Sequence, residues 1–247
     1  VNMHMSETIG GWCFFNEKFE DDTSKEKHRL EEPRFVDCGE VTKSVFAESA
    51  KILEINSKTG LYPLYVAYSF YKQRMEGMSD DDWEPEDCQL FWNEVVRDNV
   101  YVICNTPMAK SITRRTLCGY NDIIYNAHYC DDLINMLKNK PEQFKKRVQK
   151  GSYWKKEVKE MKFDAVVGNP PYQEETGAKR KPPLYNYFYD MAFELSDIAT
   201  LITPARFLFE AGQTPKEWDR KMLEDEHFMV VQYFENSKEV FDTVDIK

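Results

Sequence analysis

Short apolar runs recur along the chain, separated by polar turns and by stretches with helical spacing. The runs that predict strands are 51–55, 100–104, 122–129, 163–168, 199–203 and 228–234. Helical patterns follow several of them, most clearly over 61–74 and 184–195. Because alternating strands and helices are typical of parallel sheets covered on both faces, the pattern predicts an α/β fold, doubly wound around a mostly parallel sheet. Residues 240–241 are expected to begin a hairpin.

The run at 163–168 ends abruptly in Asn169, Pro170, Pro171 and Tyr172. Two successive prolines fix φ and lack an N–H, so they neither continue a helix nor donate to a sheet, and they hold Asn169 and Tyr172 in a stiff, extended presentation. An ordinary turn or strand exit is the structural alternative, since Asn-Pro and Pro-Pro are common in loops. The apolar strand before the motif, and the helix and strand after it, favour a catalytic loop.

This loop suits the alkylation of an amino nitrogen whose lone pair is delocalised into a ring. The Asn169 side-chain oxygen and the Pro170 carbonyl are pure acceptors, so together they could take both N–H bonds of an –NH2 group and localise its lone pair. Tyr172 offers an aromatic face, and base–aromatic stacking contributes about 1–3 kcal/mol per base. A base inside a duplex hides its amino group, so the loop implies a base flipped out of the helix.

The strand followed by Asn-Pro-Pro-Tyr resembles the catalytic motif of S-adenosylmethionine-dependent amino-methyltransferases, above all the adenine-N6 DNA methyltransferases. The wider sequence is similar to the fused (type IIG) restriction-modification methylases, in which methylase and endonuclease share one polypeptide. It carries ILEINSKTGLYPLYVAYSFY upstream, and LITPARFLFEAG and VFDTVDIK downstream. The resemblance implies a Rossmann-like fold, S-adenosylmethionine as cofactor, double-stranded DNA with a flipped adenine as substrate, and Asn169, Pro170, Pro171 and Tyr172 as catalytic residues.

The resemblance also assigns cofactor binding to six residues, Glu54, Asn56, Ser57, Thr59, Gly60 and Asp132. Glu54 takes the place of the acidic residue that ends the first strand, and Gly60 that of the last glycine in the loop after it. A plain strand-to-helix turn is the alternative for this loop. Asp132 takes the place of the aspartate that binds the cofactor's adenine amino group, with a structural helix N-cap as the alternative.

Two positions depart from the pattern of this family. Lys58 stands where an earlier glycine is usual, and Cys104 ends the second strand where an acidic residue usually accepts hydrogen bonds from the ribose. These departures favour a second hypothesis, a catalytically degenerate DNA-binding or scaffolding module. A third hypothesis keeps the chemistry and changes the substrate, because similar loops serve methyltransferases that act on protein glutamine or on guanine in RNA.

Composition and charge limit the cellular compartment and the kind of partner that we expect for this protein. The six cysteines are scattered without zinc-site spacing, which indicates reduced thiols in the cytoplasm and no metal site, and no apolar stretch approaches the ~20 residues that span a bilayer. A net charge of −10 opposes a nucleic-acid partner. The basic residues are nevertheless concentrated, in the polar segment 139–162 and in 179–181 directly after the catalytic loop. A solvated loop is the alternative for 179–181.

The 247 residues fit one α/β domain. We expect 1–50 to be an irregular or short helical lead-in that packs on the catalytic domain, and 51–247 to be the methyltransferase catalytic domain. We expect that domain to be truncated at its C-terminus, with a target-recognition domain and an endonuclease module elsewhere in the parent polypeptide.

Overall fold

Seven strands form two sheets in the computed structural model, which describes residues 1–15, 29–77, 84–174 and 181–236. The strands are β1 (Gly11–Phe15), β2 (Arg29–Val36), β3 (Ile52–Ser57), β4 (Val100–Cys104), β5 (Asn126–Tyr129), β6 (Ala165–Gly168) and β7 (Ile198–Leu201). β1 and β2 pair antiparallel, whereas the other five form one parallel sheet in the order β5-β4-β3-β6-β7. The predicted parallel sheet is therefore confirmed.

Helices cover both faces of the parallel sheet. The helices are α1 (Asn2–Thr8), α2 (Glu40–Val45), α3 (Leu61–Glu76), α4 (Pro85–Asp98), α5 (Pro107–Cys118), α6 (Leu133–Asn139), α7 (Pro141–Val148), α8 (Tyr185–Leu195) and α9 (Lys216–Glu224). Successive residues of a strand point to opposite faces. Ile52 of β3 therefore joins the core cluster that contains residues of α3, α4 and α5, while Leu53 joins the cluster formed with α6, α7 and α8. The sheet is doubly wound, as predicted.

The first fifty residues contribute to the same core. Met5 of α1, Ile9 and Val45 of α2 are buried within the cluster that covers the α3 face of the sheet. The sequence led us to expect an irregular or short helical lead-in, and the β1–β2 pair was not expected. Within the described part of the chain, no helix is both long enough and apolar enough to cross a membrane.

Three elements differ from the expectation. β5 begins at Asn126 instead of 122, and α4 and α9 were not predicted. The strand expected over 228–234 was wrong, because this segment pairs with no described strand and the parallel sheet ends at β7. Phe228 packs instead on the rings of Tyr189 and Phe207, and Met229 is 74% exposed. The hairpin expected at 240–241 lies outside the described residues.

Asn99 fixes the amino edge of the sheet where β3 and β4 begin. Its buried side-chain Nδ2 donates to the carbonyl oxygens of Glu48 (2.9 Å) and Ala50 (2.8 Å). The Ile52 N–H donates in turn to the Asn99 carbonyl at 2.8 Å. These bonds align the start of β3 with the start of β4, and so help to set where both strands end.

We predict that Asn99→Ala lowers the free energy of unfolding by about 1–3 kcal/mol, because it leaves two carbonyl groups without a partner. Urea denaturation followed by circular dichroism measures the change. The control is Asn139→Ala, which removes an exposed side chain and is expected to change stability by less than about 0.5 kcal/mol. Equal stability of both variants would contradict this role for Asn99.

Candidate active site

The candidate site lies where the strand order reverses. From β3 the chain moves outward to β4 and β5, then crosses back to place β6 on the other side of β3. In open α/β sheets this reversal leaves a crevice at the carboxyl ends of the two strands, and ligands bind there. The Asn-Pro-Pro-Tyr loop leaves β6 at this crevice, and the loop 56–60 leaves β3 beside it.

Both ends of the Asn-Pro-Pro-Tyr loop are anchored by backbone hydrogen bonds. The Ile202 N–H donates to the Gly168 carbonyl at 3.2 Å before the loop, and the Leu184 N–H donates to the Tyr172 carbonyl at 3.2 Å after it. Pro170 is buried, whereas Asn169 is half-buried. The loop is therefore fixed between β7 and the start of α8, with part of Asn169 open to the crevice.

Tyr172 and Asn169 interact through their side chains. Burial raises the pKa of Tyr172 to about 12, while a hydrogen bond with the Asn169 side chain acts in the opposite direction. The Asn169 amide therefore lies close to the Tyr172 phenol. The raised pKa keeps Tyr172 a neutral aromatic surface.

Glu54 is buried within β3 and lies directly behind the loop. It is 5% exposed, and its Oε2 atom has no hydrogen-bond partner in the described structure. A Cβ atom on Gly168 would lie 3.9 Å from Glu54 Cγ, which places the carboxyl next to the start of the Asn-Pro-Pro-Tyr loop. The expectation that Glu54 ends its strand was wrong, because β3 continues to Ser57. Glu54 is therefore the only acidic residue of β3, and it lies three residues before the end of the strand.

The environment of Glu54 keeps its carboxyl group largely protonated near neutral pH. Burial raises the pKa of Glu54 to about 8, against the opposing effects of a hydrogen bond with Ser57 and the positive charge of Lys58. Removing a carboxylate from water without a compensating partner is costly, so the group takes up a proton instead. Lys58, which replaces a glycine of the family pattern, therefore contributes a nearby positive charge to the site.

Asn56 provides a second unpaired polar atom at the end of β3. It is 5% exposed and adopts a left-handed backbone conformation with φ of 75°, and its Nδ2 atom has no partner among the described residues. Buried polar groups in folded proteins are nearly always hydrogen-bonded. The free Glu54 and Asn56 atoms therefore fit a polar ligand that brings hydrogen-bonding groups to this crevice.

Three other residues of the loop contact α5. Ser57 Oγ lies 3.2 Å from Thr113 Oγ1, and the Thr59 carbonyl accepts a hydrogen bond from Thr116 Oγ1 at 2.7 Å. Gly60 has φ of 76°, and a Cβ there would approach Thr113 Cα to 3.0 Å. The glycine therefore permits both the left-handed turn and the close packing of the loop on α5. The Ser57 side chain and the Thr59 carbonyl are directed to α5.

Asp132 lies beyond the carboxyl end of β5, two strands from β3. It is exposed, has φ of 58°, and accepts a hydrogen bond from Asn135 Nδ2 at 2.7 Å. It occupies the N-cap position of α6 but makes no side-chain capping bond. The usual capping bond therefore does not account for an aspartate at this position, and its carboxylate faces the same edge of the sheet as the crevice.

Cys104 ends β4 as a buried, neutral thiol. It is fully buried, and burial raises the pKa of its thiol to about 11. Thr106 does not replace the missing acidic side chain, because its Oγ1 caps α5 by accepting from the Ala109 N–H at 3.0 Å. Asn105 is half-buried between them. An anionic acceptor for ribose hydroxyls is therefore absent from these three positions.

His4 lies beside the candidate site, and no pattern in the sequence identifies it. Its Nδ1 lies 2.9 Å from the Tyr62 hydroxyl, and its Nε2 lies 2.7 Å from Thr200 Oγ1. Burial lowers the pKa of His4 to about 3, so the ring is neutral and donates to one hydroxyl while it accepts from the other. These partners are 58 and 196 residues away, and no local pattern signals contacts of that range.

Tyr62 is hydrogen-bonded to His4 and lies near both Glu54 and Tyr172. Burial raises the pKa of Tyr62, and the Glu54 carboxyl and the Tyr172 phenol raise it further. These electrostatic effects place the Tyr62 ring near both the cofactor candidate of β3 and the catalytic candidate after β6. The amino-terminal helix, α3 and β7 are thus linked by hydrogen bonds beside the crevice.

Two further predictions concern metal binding and the basic triplet after the loop. Across the described residues there is no group of three or more His, Cys, Asp or Glu side chains that could hold a metal ion. Of the basic triplet after the loop, only Lys181 is among the described residues, where it is exposed.

A doubly wound parallel sheet with this loop at its reversal point has the Rossmann-like methyltransferase fold. A family model described as Eco57I restriction-modification methylase matches residues 98–241, more than half of the chain, and the chain belongs to that family. The match includes the Asn-Pro-Pro-Tyr loop and Asp132, whereas Glu54 and the loop 56–60 precede it. No curated protein matches the chain.

We predict that Glu54 contributes a component of the stability of the ligand-free protein that falls as the pH rises from about 4.5 to about 8, the range between its ordinary and its raised pKa. Over this range the Glu54 carboxyl of the folded state keeps a proton that the unfolded state releases, so each increase in pH favours unfolding through this group. The lowered pKa of His4 gives the opposite trend at acidic pH, so the Glu54 component is the difference between the wild type and Glu54→Gln. Glu54→Gln cannot ionise and is expected to remove this component, on the order of a few kcal/mol. Thermal unfolding at a series of pH values measures it.

The control for this experiment is Glu142→Gln, which changes an exposed carboxyl on α7 and should keep the wild-type pH profile. Identical pH profiles for the wild type and Glu54→Gln would show that Glu54 is not the buried acid described above.

Proposed function

We propose that the chain transfers a methyl group from S-adenosylmethionine to the N6 amine of a flipped adenine in double-stranded DNA. The observation that carries this proposal is the anchored Asn-Pro-Pro-Tyr loop at the reversal point of the sheet, in a member of a restriction-modification methylase family. The parent polypeptide would pair this activity with a target-recognition domain, as in the fused type IIG enzymes, and an endonuclease module.

Asn169 and Pro170 would act on the amine. The Asn169 Oδ1 atom and the Pro170 carbonyl would each accept one N–H of the amino group, which draws the nitrogen lone pair out of the ring and toward the methyl donor. Asn169 is half-buried and its side chain lies beside the Tyr172 phenol, which limits its freedom before substrate binds. Because both ends of the loop are anchored, this orientation costs little when the base enters.

Tyr172 would hold the base by stacking, which partly offsets the loss of stacking in the duplex. Pro171 keeps Tyr172 in register with Asn169 through its fixed φ.

The residues at the end of β3 fit a polar cofactor. S-adenosylmethionine, when bound, supplies a methyl group already activated on a sulfonium. Glu54 Oε2 and Asn56 Nδ2 would hold it, since both are buried without a partner in the described structure. Ser57, Thr59 and Gly60 would shape the turn, and Asp132 would bind an amino group at the far end of the crevice.

A degenerate binding module is the second candidate, and Cys104 is the observation that favours it. A neutral thiol is only a weak acceptor, whereas a carboxylate at this position would accept strong hydrogen bonds from the ribose hydroxyls. Cofactor titration separates the two candidates, because a degenerate module would not bind S-adenosylmethionine. Methyltransferases that act on protein glutamine or on RNA share this loop, and substrate competition distinguishes them.

We predict that Asn169→Ala lowers the rate of methyl transfer about 10²–10³-fold, by removing one oriented acceptor from the reacting amine. The assay follows transfer of labelled methyl to unmethylated genomic DNA, with mass spectrometry of the nucleosides to identify N6-methyladenine. Gln173→Ala is the matched control, because this exposed side chain directly follows the loop. A wild-type rate in Asn169→Ala would refute the role, and a different methylated nucleoside would refute adenine as the target.

We also predict that binding of S-adenosylmethionine at pH 7 releases protons. A cationic ligand beside Glu54 favours its charged form and lowers its raised pKa, so the carboxyl gives up a proton. Calorimetry in buffers of different ionisation enthalpy measures the number released. Glu54→Gln is expected to bind with a heat that does not depend on the buffer. A buffer-independent heat for the wild type would mean that the cofactor does not contact Glu54.

A further inference from the structure

The segment 139–162 carries nine lysine or arginine residues and three glutamates, a local balance of +6 in a chain of net charge −10. Within it, α7 and the turn after α7 enclose a concavity of about 460 Å³. We call this region the α7 basic surface, and it is lined by Gln143, Lys146, Arg147, Lys150, Ser152 and Tyr153. No carboxylate lines it.

The three cations of the α7 basic surface are available to a partner. Lys146, Arg147 and Lys150 are exposed, and none forms an ion pair with a carboxylate in the described part of the chain. Their neighbours differ, because Lys145 pairs with Glu194 and Lys156 lies 3.4 Å from Asp98. The segment thus separates into lysines that pair with carboxylates and cations that have no carboxylate partner.

The α7 basic surface rests on a rigid base. The Tyr153 ring stacks on His128 of β5 with centroids 4.1 Å apart, and the Arg147 guanidinium lies 5.8 Å from the same Tyr153 ring. The next residue, Trp154, donates from Nε1 to the Val148 carbonyl at 2.7 Å, which ties the turn to the end of α7. Cations on a rigid support lose little conformational freedom when they bind an anion.

The α7 basic surface lies toward the same edge of the sheet as the candidate active site. The charge of Arg147 acts on the thiol of Cys130, and the Cys130 N–H donates to the Cys104 carbonyl at the end of β4. β5, on which the surface rests, is three strand spacings from β6, which is about 14 Å across the sheet. One strand of a duplex advances 3.4 Å per phosphate, so this distance is roughly four phosphates.

We propose that the α7 basic surface binds the phosphate backbone of duplex DNA beside the flipped base, and that it supplies sequence-independent affinity. The proposal rests on the DNA substrate of the proposed function. Lys146 lines the concavity from the last turn of α7, and Lys150 lines it from the turn after the helix. No carboxylate is among the lining residues, and the nearest acids in the chain, Glu142 on α7 and Glu160 across a β-bridge from Lys150, are outnumbered by the cations. The surface therefore gives an acidic protein a local positive field.

The test is the salt dependence of DNA binding. A labelled duplex of about two helical turns is titrated with the chain by fluorescence anisotropy, from about 50 to 200 mM salt. In the variant Lys146→Gln/Lys150→Gln, two phosphate contacts are lost. We expect the affinity at about 0.1 M salt to fall more than tenfold, and the slope of log K against log salt to decrease in magnitude by nearly 2.

The matched control is Lys43→Gln/Lys51→Gln. It removes the same charge, and Lys43, like Lys146, lies in the last turn of a helix and is exposed. The control should keep the wild-type slope. Equal slopes for both variants, or no binding of DNA by the wild type even at low salt, would overturn the proposal.

Two further measurements separate this proposal from others. Saturable binding of 5′-dAMP that is lost in Lys146→Gln/Lys150→Gln would identify a site for a free nucleotide and overturn the backbone contact. Methylation is measured on the same samples at saturating DNA. DNA binding that depends on the two lysines without methylation would refute the proposed function alone. Methylation with equal binding by both variants would refute the α7 basic surface alone.

Discussion

The parallel pairing of β3 with β6 is the constraint on which the site depends. β5 and β6 follow each other in the chain but lie three places apart in the sheet, so β6 must cross back over the face to reach β3. This pairing sets Glu54 directly opposite Val167, two residues before Asn169. Glu54 and Asn169 come from distant parts of the sequence, and the pairing of their strands brings them close together. No direct contact between the two loops is needed.

The same pairing imposes a cost, since it buries an acid in a sheet that is otherwise apolar at its centre. The fold accepts this cost by keeping Glu54 protonated and by placing the Lys58 charge nearby. Proteins tolerate such buried polar groups mainly at functional sites, where hydrogen bonds to a ligand offset the cost of burial. Two unpaired buried polar atoms and one left-handed residue occur within the three residues 54–56. Such clusters of unfavourable features are typical of binding sites.

The sequence predicted four strands of the parallel sheet to within two residues at each end, and only the start of β5 less well. β4 was predicted with its observed bounds and β3 within two residues, because continuous apolar runs bounded by polar loops leave little choice once both faces are covered. The run at 228–234 has the same composition, but a strand also needs a neighbour, and composition does not supply one. The Asn-Pro-Pro-Tyr loop could be located from its prolines together with the apolar strand before it, whereas the contacts of His4 could not be predicted.

The contacts of His4 have a consequence for how the crevice is assembled. Its ring joins groups whose separations span most of the chain, and closing so long a loop carries an entropic cost that local contacts cannot offset early. Central strands and their neighbouring helices can form first, but the wall of the crevice beside Tyr62 is complete only when the first helix docks. The competent state of this site is therefore a property of the whole fold and belongs to no smaller folding unit within it.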